Sequence, residues 1–215
     1  MKYSLVIFDL DGTVLDTLED LYDAVNFALM KNNLPQRKIE EIRSFVGNGI
    51  RLLIERSVCE NTDDGTVNAV FSDFKSYYAE HSCDKTKPYD GVTELLWRLK
   101  AKGVQIAVVS NKADFAVQAL VQKFFPDCFN IAVGEREGIL KKPAPDSVFE
   151  VLKRLDIDAH SCVYVGDSEV DIQTSENAGI NCISVDWGFR DREELLLAGA
   201  EIIASDINEL YSYLL

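Results

Sequence analysis

Asp9 and Asp11 stand two residues apart at the end of an apolar run, Leu5 to Phe8, and Gly12 and Thr13 follow at once. Carboxylates this close repel each other and cost desolvation unless a cation joins them. Mg²⁺, a hard ion that prefers oxygen, suits such a pair. Asp9 can attack phosphorus as a nucleophile and carry an acyl phosphate. Asp11, leaving the strand end in roughly the same direction, can protonate the departing oxygen and then activate water. Asp167 would share the Mg²⁺ with Asp9, and Asp171, one helical turn further, can face the same site as an outer partner of the metal. Ser110 can hydrogen-bond a phosphoryl oxygen, and backbone N–H groups near Leu10, Gly12 and Asn111 can cradle it. Lys142 brings a positive point charge. Positioning and charge neutralisation are most of what phosphoryl transfer requires. Each piece taken singly also has an ordinary structural reading. Asp-Gly ends many strands in a turn, Asp167 before Ser and Glu can cap a helix, Ser110-Asn111 suits a turn, and Lys141 and Lys142 suit a solvated surface. The ordered combination carries the argument.

Positioning these residues falls to an alternation of strands and helices. Leu5 to Phe8 reads as a strand buried on both faces of a parallel sheet. From Thr17 to about Lys85 the pattern is helical throughout. Leu18, Leu21, Val25, Ala28 and Leu29 mark a first face, Ile39, Ile42 and Phe45 a second, and Leu52, Leu53, Arg56 and Val58 a third. Val67, Val70, Phe71, Phe74, Tyr77 and Tyr78 mark a fourth. From Pro88 onward Asp90 can cap a helix, Val104 to Ser110 is a strand, and Ile131 to Val133 another. Pro145 and Asp146 open a helix, and Cys162 to Gly166 and Cys182 to Val185 are further strands. Asp191 with Glu194 forms a capping box, Glu201 to Ala204 an edge strand, and Ile207 to Leu214 a closing helix. The expected fold is α/β, a doubly wound parallel sheet of Rossmann-like topology with an inserted all-helical domain. Residues 1–15 and 86–215 would form the core, and residues 16–85 the insert. Ligands of such sheets sit beyond the carboxyl ends of the strands, and the four polar clusters fall on that rim.

The chain has 215 residues, 47% of them hydrophobic, enough to bury a sizeable core. Its net charge of −14 repels nucleic acid and anionic membranes, so neither is expected as a partner. Any phosphate site must therefore gather its positive charge locally. Five cysteines, an odd count without C-x-x-C spacing, and no apolar segment of spanning length point to a cytoplasmic protein; a monomer or a homodimer is expected. His81 and His160 lie in polar surroundings without a visible partner and are given no role.

Asp9-Leu-Asp-Gly-Thr13, Ser110-Asn111, Lys142-Pro143 and Gly166-Asp167-Ser-Glu-Val-Asp171 resemble, in order, the four motifs of the haloacid dehalogenase-like (HAD) phosphohydrolases. The resemblance covers essentially the whole chain, and within that superfamily it is greatest to the phosphoglycolate phosphatases. It implies that the helical insert is a cap. It also implies that Asp9 is the nucleophile, Asp11 the general acid/base, and Asp9, the Asp11 backbone carbonyl and Asp167 the protein ligands of Mg²⁺. Gly12, Thr13, Ser110, Asn111 and Lys142 would meet the phosphate of a small phosphorylated metabolite. Dehalogenases and phosphonate-cleaving relatives do not carry the second aspartate, so Asp11 argues against both. Sugar phosphomutases carry a histidine after the hinge where this chain has Asp16-Thr-Leu-Glu-Asp-Leu21. The family's Lys-Pro-x-Pro often runs on to another proline, and here Asp146-Ser147 follows. Val46-Gly-Asn-Gly-Ile-Arg51 resembles the cap loop of phosphoglycolate phosphatases, which nominates Arg51, Gly47 and Asn48 as substrate contacts. Pyrophosphatases and sugar-phosphate phosphatases share the same machinery. A phospho-acceptor module of the receiver type, or a non-catalytic binding relative, would use similar residues without turnover.

Overall fold

The computed structural model describes residues 2–215. They divide into two compact units, one formed by the chain up to Leu15 together with Pro88–Leu215, the other by Asp16–Lys87. In chain order the elements begin with β1 (Leu5–Phe8), β2 (Leu15–Asp16), α1 (Leu18–Lys31), α2 (Ile39–Phe45), α3 (Ile50–Ser57), α4 (Asp64–His81) and β3 (Lys87–Pro88). They continue with α5 (Val92–Ala101), β4 (Gln105–Ala113), α6 (Asp114–Phe124), β5 (Ile131–Glu135), α7 (Asp146–Leu155) and β6 (Cys162–Gly166). The chain closes with α8 (Glu169–Ala178), β7 (Asn181–Val185), α9 (Arg192–Leu197), β8 (Ile203–Ala204) and α10 (Ile207–Leu214).

The first unit is built on a six-stranded sheet in the order β5-β4-β1-β6-β7-β8. Each neighbouring pair in it runs parallel. β1 lies between β4 and β6, with Phe8 level with both Val108 and Val165. The chain winds outward from β1 to β4 and β5, then crosses back to β6 and winds the other way. The strand order thus reverses beside β1, which opens a crevice at the carboxyl ends of β1, β4 and β6. Helices cover both faces of such a sheet, so its central strands are apolar throughout: every residue of β1 and β6 is buried. On one face Val148, Val151 and Leu152 of α7 pack against Leu5, Ile7, Val109, Val133 and Tyr164. Burying each such aliphatic side chain contributes about 1.5–3 kcal/mol. Ile172, Leu195 and Ile203 make a smaller cluster under the β8 edge.

Several local expectations give way to tertiary constraints. β4 does not stop at Ser110 but runs to Ala113, with its register against β5 broken between Val109 and Ala113. Such irregularities bend a strand and re-aim its side chains. Asp90 does not cap α5. That position falls to Gly91, whose φ of 79° suits a residue without Cβ, and Val92 N–H donates to Tyr89 O instead. The edge strand shrinks to Ile203–Ala204, and β2 and β3 form a short ribbon that no sequence periodicity marks. The Asp191–Glu194 capping box is present, with Glu194 N–H on Asp191 Oδ1 and Asp191 N–H on Glu194 Oε2.

The Asp16–Lys87 unit is helical, held by an apolar interior of Leu21, Val25, Leu29, Ile42, Ile54, Val70 and Phe74. Phe27 stacks on Tyr77 with ring centroids 4.3 Å apart, and Lys31 pairs with Asp73 at 2.7 Å. Asp63 caps α4 by accepting from Thr66 N–H. His81 has partners after all: its Nδ1 lies 2.8 Å from Asp84 Oδ2 and its ring stacks on Tyr77. The buried carboxylate of Asp20, in the first turn of α1, accepts from Lys85 N–H, Thr86 N–H and Thr86 Oγ1. This clasp ties the two ends of the helical segment together. No helix among the described residues is long and apolar enough to cross a membrane.

Candidate active site

The crevice at the strand ends collects the carboxylates. Asp9 follows β1 directly, and its N–H donates to Val165 O of β6 at 2.9 Å. Asp167 follows β6, and Asp171 lies in the first turn of α8. One oxygen from each of Asp9, Asp167 and Asp171 lies within 4.8 Å of the others. Lys142 Nζ enters the group from the segment before α7, 2.9 Å from Asp9 Oδ1 and 2.7 Å from Asp171 Oδ1. Its side chain is 3% exposed, and Tyr164 Oη accepts a third contact from it at 3.0 Å while donating to Val109 O.

Each carboxylate is held differently. Asp167 Oδ1 accepts from Thr13 Oγ1 at 2.9 Å, and its Oδ2 accepts from Phe189 N–H at 2.7 Å. Gly188 makes the second contact possible: a Cβ there would stand 2.3 Å from Gly12 O and 2.5 Å from Asp167 Oδ2. Gly12 approaches the same carboxylate, with φ at 88°. Asp171 is fully committed, with Oδ1 to Lys142 and Oδ2 to Ser168 N–H and Oγ. Its oxygens steady the lysine and the turn, in keeping with a place behind the metal ligands. Asp9 Oδ1 is buried at ion-pair distance from Lys142 but takes no well-directed hydrogen bond.

Electrostatics follow from this crowding. Burial, reinforced by Asp171, pushes the Asp9 carboxyl up to about 7 despite the opposing pull of Lys142. Burial and then Asp171 and Asp9 drive Asp167 well above the usual carboxylate range. Burial would lower the Lys142 ammonium, but Asp171 and Asp9 outweigh it and hold the group well above its ordinary value. Three carboxylates face one ammonium in a buried space, so their full ionisation calls for further positive charge. Hard oxygen donors so arranged fit a divalent cation, with Asp9 and Asp167 the carboxylates that could hold it.

The remaining expected residues are placed as follows. Asp11 is not one of the three clustered carboxylates; its Oδ1 lies 2.9 Å from Lys112 Nζ. Ser110 and Asn111 lie in the irregular stretch of β4; Ser110 Oγ accepts from Lys112 N–H, and Asn111 Nδ2 donates to Lys142 O. Two phosphate contacts expected from sequence are otherwise engaged. Gly12 N–H closes a turn onto Leu15 O at 2.8 Å, and the Thr13 hydroxyl serves Asp167. Gly47 and Arg51 belong to the helical unit, where Arg51 pairs with Glu55 and donates to Asn68 Oδ1, both at 2.6 Å. Asn48 lies beside them between two glycines of positive φ, Gly47 and Gly49. Sequence reasoning gave no role to Lys112, Tyr164, Ser168, Gly188 or Phe189. Lys112 follows Ser110-Asn111 beyond the apolar run of β4, so residue type gave no sign that its ammonium would be buried.

The chain matches the model of the haloacid dehalogenase-like hydrolases over residues 6–185, a span that contains Asp9, Asp11, Ser110, Asn111, Lys142, Asp167 and Asp171. It is 33% identical to the phosphoglycolate phosphatase of Mesorhizobium japonicum, over 89% of this chain and 86% of that one. It is 32% identical to the phosphoglycolate phosphatase of Psychrobacter arcticus, over 100% of this chain and 97% of that one. A crystal structure from Lactobacillus delbrueckii subsp. bulgaricus, provisionally named a phosphoglycolate phosphatase, superposes with a TM-score of 0.94. It is 39% identical, covering 100% of this chain and 99% of that one. The chain belongs to the haloacid dehalogenase-like hydrolases.

Proposed function

We propose that this hydrolase is a Mg²⁺-dependent phosphatase of a small phosphomonoester, with phosphoglycolate the first candidate, working through a phosphorylated Asp9. The observation that carries the reading is the buried Asp9 oxygen without a well-directed hydrogen bond, in a cluster of three carboxylates around one fixed ammonium. Asp9 Oδ attacks phosphorus and the bond to the ester oxygen breaks, that oxygen taking a proton from Asp11. A water, deprotonated by Asp11, then attacks the same phosphorus, the bond to Asp9 breaks, and inorganic phosphate leaves. Lys142 lies across from Asp9 and, with Ser110 and Asn111, is the proposed contact for the phosphoryl oxygens. Bound Mg²⁺, held by Asp9 and Asp167 with the Asp11 carbonyl, would supply charge neutralisation between nucleophile and phosphate. The helical segment is proposed as the substrate-selecting cap, with Arg51, Gly47 and Asn48 as the candidates to meet a second anionic group. The relatives named phosphoglycolate phosphatase support that choice of substrate.

The test is release of inorganic phosphate from a panel of small phosphate esters, with Mg²⁺ and with chelator, by the wild type and Asp9→Asn. Mg²⁺-dependent turnover that Asp9→Asn abolishes is expected, with phosphoglycolate ranking high. A wild type that turns over no ester, or that accumulates a lasting phosphoprotein, overturns the reading in favour of a binding or phospho-acceptor protein.

A further inference from the structure

Lys112 raises a question that the proposed chemistry leaves open. Its side chain is only 4% exposed, and an ammonium in such a place requires a carboxylate. Asp11 meets it at 2.9 Å through Oδ1, with the Asp11 side chain itself 15% exposed. The pair spans two neighbouring parallel strands, Asp11 lying just beyond β1 and Lys112 in the irregular end of β4. Lys112 N–H donates to Ser110 Oγ, which fixes the bend that turns its side chain toward β1. Lys142 serves Asp9 and Asp171, so the two aspartates of the first motif are divided between two lysines. Lys112 meets Asp11 through Oδ1, so Oδ2 is the oxygen not engaged in that contact.

The geometry points to Lys112 as a positioning residue: it holds Asp11 by Oδ1 so that Oδ2 is the oxygen that hands a proton to the leaving group. This rests on the phosphatase reading above. An alkyl ester leaves as an alkoxide and needs that proton, whereas p-nitrophenolate leaves without it. A clamp on Asp11 therefore matters for the first ester and little for the bond-breaking step of the second. A lysine that instead bound the phosphate would matter equally for both.

The experiment compares Lys112→Met, Lys112→Arg, Asp11→Asn and the double variant Lys112→Met with Asp11→Asn. The readouts are steady-state hydrolysis of an alkyl phosphate and the pre-steady-state burst of p-nitrophenol from p-nitrophenyl phosphate, both with Mg²⁺. Lys112→Met is expected to lower kcat on the alkyl ester by about 30- to 100-fold, with KM and the burst rate within about three-fold of wild type. Lys112→Arg, which keeps the charge, should restore most of the alkyl activity. In the Asp11→Asn background Lys112→Met should cost nothing further. Equal losses on both esters, a rise in KM with kcat kept, or full additivity with Asp11→Asn overturns the clamp. If Lys112→Met does not fold, Lys112→Arg decides: an alkyl-to-aryl ratio shifted more than about ten-fold from wild type overturns it. A wild type inactive on every ester instead overturns the phosphatase reading, and is seen before any Lys112 variant is made.

Discussion

Replacing Lys142 by methionine keeps the length and apolar body of the side chain and removes only the ammonium. The ammonium lies 2.9 Å from Asp9, 2.7 Å from Asp171 and 3.0 Å from the Tyr164 hydroxyl. Taking one partner from a buried ion pair costs about 3–5 kcal/mol, because the remaining charge is left uncompensated. Part of that cost depends on pH. Asp9 titrates at about 7 in the folded chain, against 3.8 for an unperturbed aspartate. A carboxyl raised on folding favours the folded state fully below the unfolded value, and that contribution is lost as pH rises through the folded one. Without Lys142 the Asp9 value climbs further, so the variant loses more than the wild type over the same rise. Lys142 itself stays charged throughout this range, since its own value is raised. In metal-free buffer near pH 8 we expect Lys142→Met to melt roughly 6–20 °C below wild type. Near pH 5 the deficit should be smaller by at least about 1 kcal/mol, because a roughly tenfold change in the proton affinity of Asp9 is worth about that much. Turnover with Mg²⁺ should fall by about a hundred- to a thousand-fold. Thermal melts at the two pH values, followed by phosphate release, measure all three. A deficit equal at both pH values, or kcat within about ten-fold of wild type, would refute this electrostatic account.

Gly188→Ala tests the clearance behind Asp167, since the added Cβ would stand 2.3 Å from Gly12 O and 2.5 Å from Asp167 Oδ2. The variant should keep its far-ultraviolet spectrum while Mg²⁺ affinity, read by calorimetry or by the rise in Tm on adding Mg²⁺, drops about 10- to 100-fold. Unchanged Mg²⁺ binding would mean that the loop after β7 does not position this carboxylate. Asp20→Ala removes the acceptor shared by Lys85 N–H, Thr86 N–H and the Thr86 hydroxyl. A loss of about 2–3 kcal/mol is expected, with faster amide exchange at Lys85 and Thr86; native exchange at both would show that the clasp is dispensable.

The alternation of strands and helices, the helical nature of the insert and the ordered motifs were all legible in the chain. Buried parallel strands must be apolar on both sides, and exposed helix faces must be polar, so Leu5–Phe8 and Cys162–Gly166 announce themselves by residue type alone. Asp9, Asp11 and Asp167 stood out for a related reason: charged residues at the ends of apolar strands are out of place unless something uses them, whereas Lys142, in the segment before α7, was nominated by its place in the ordered motifs. Resemblance to a known family then ordered them into roles.

What the tertiary structure decided is which atom each of these groups touches. Gly91 rather than Asp90 starts α5, because the approach of Ile207, 3.3 Å from where a Cβ would lie, and a left-handed φ govern that corner. The Thr13 hydroxyl serves Asp167, the two oxygens of Asp171 are taken by Lys142 and Ser168, and Lys112 reaches Asp11 across 101 residues of sequence. Phe189 N–H reaches Asp167 only because Gly188 lets two backbones approach. Periodicity reports which face of an element is buried, a property of residues near one another in sequence. Hydrogen-bond and ion-pair partners depend on the register of strands brought side by side, and on backbone approaches of a few tenths of an ångström. Those are set by the packing of the whole sheet, and no local pattern of residue types encodes them.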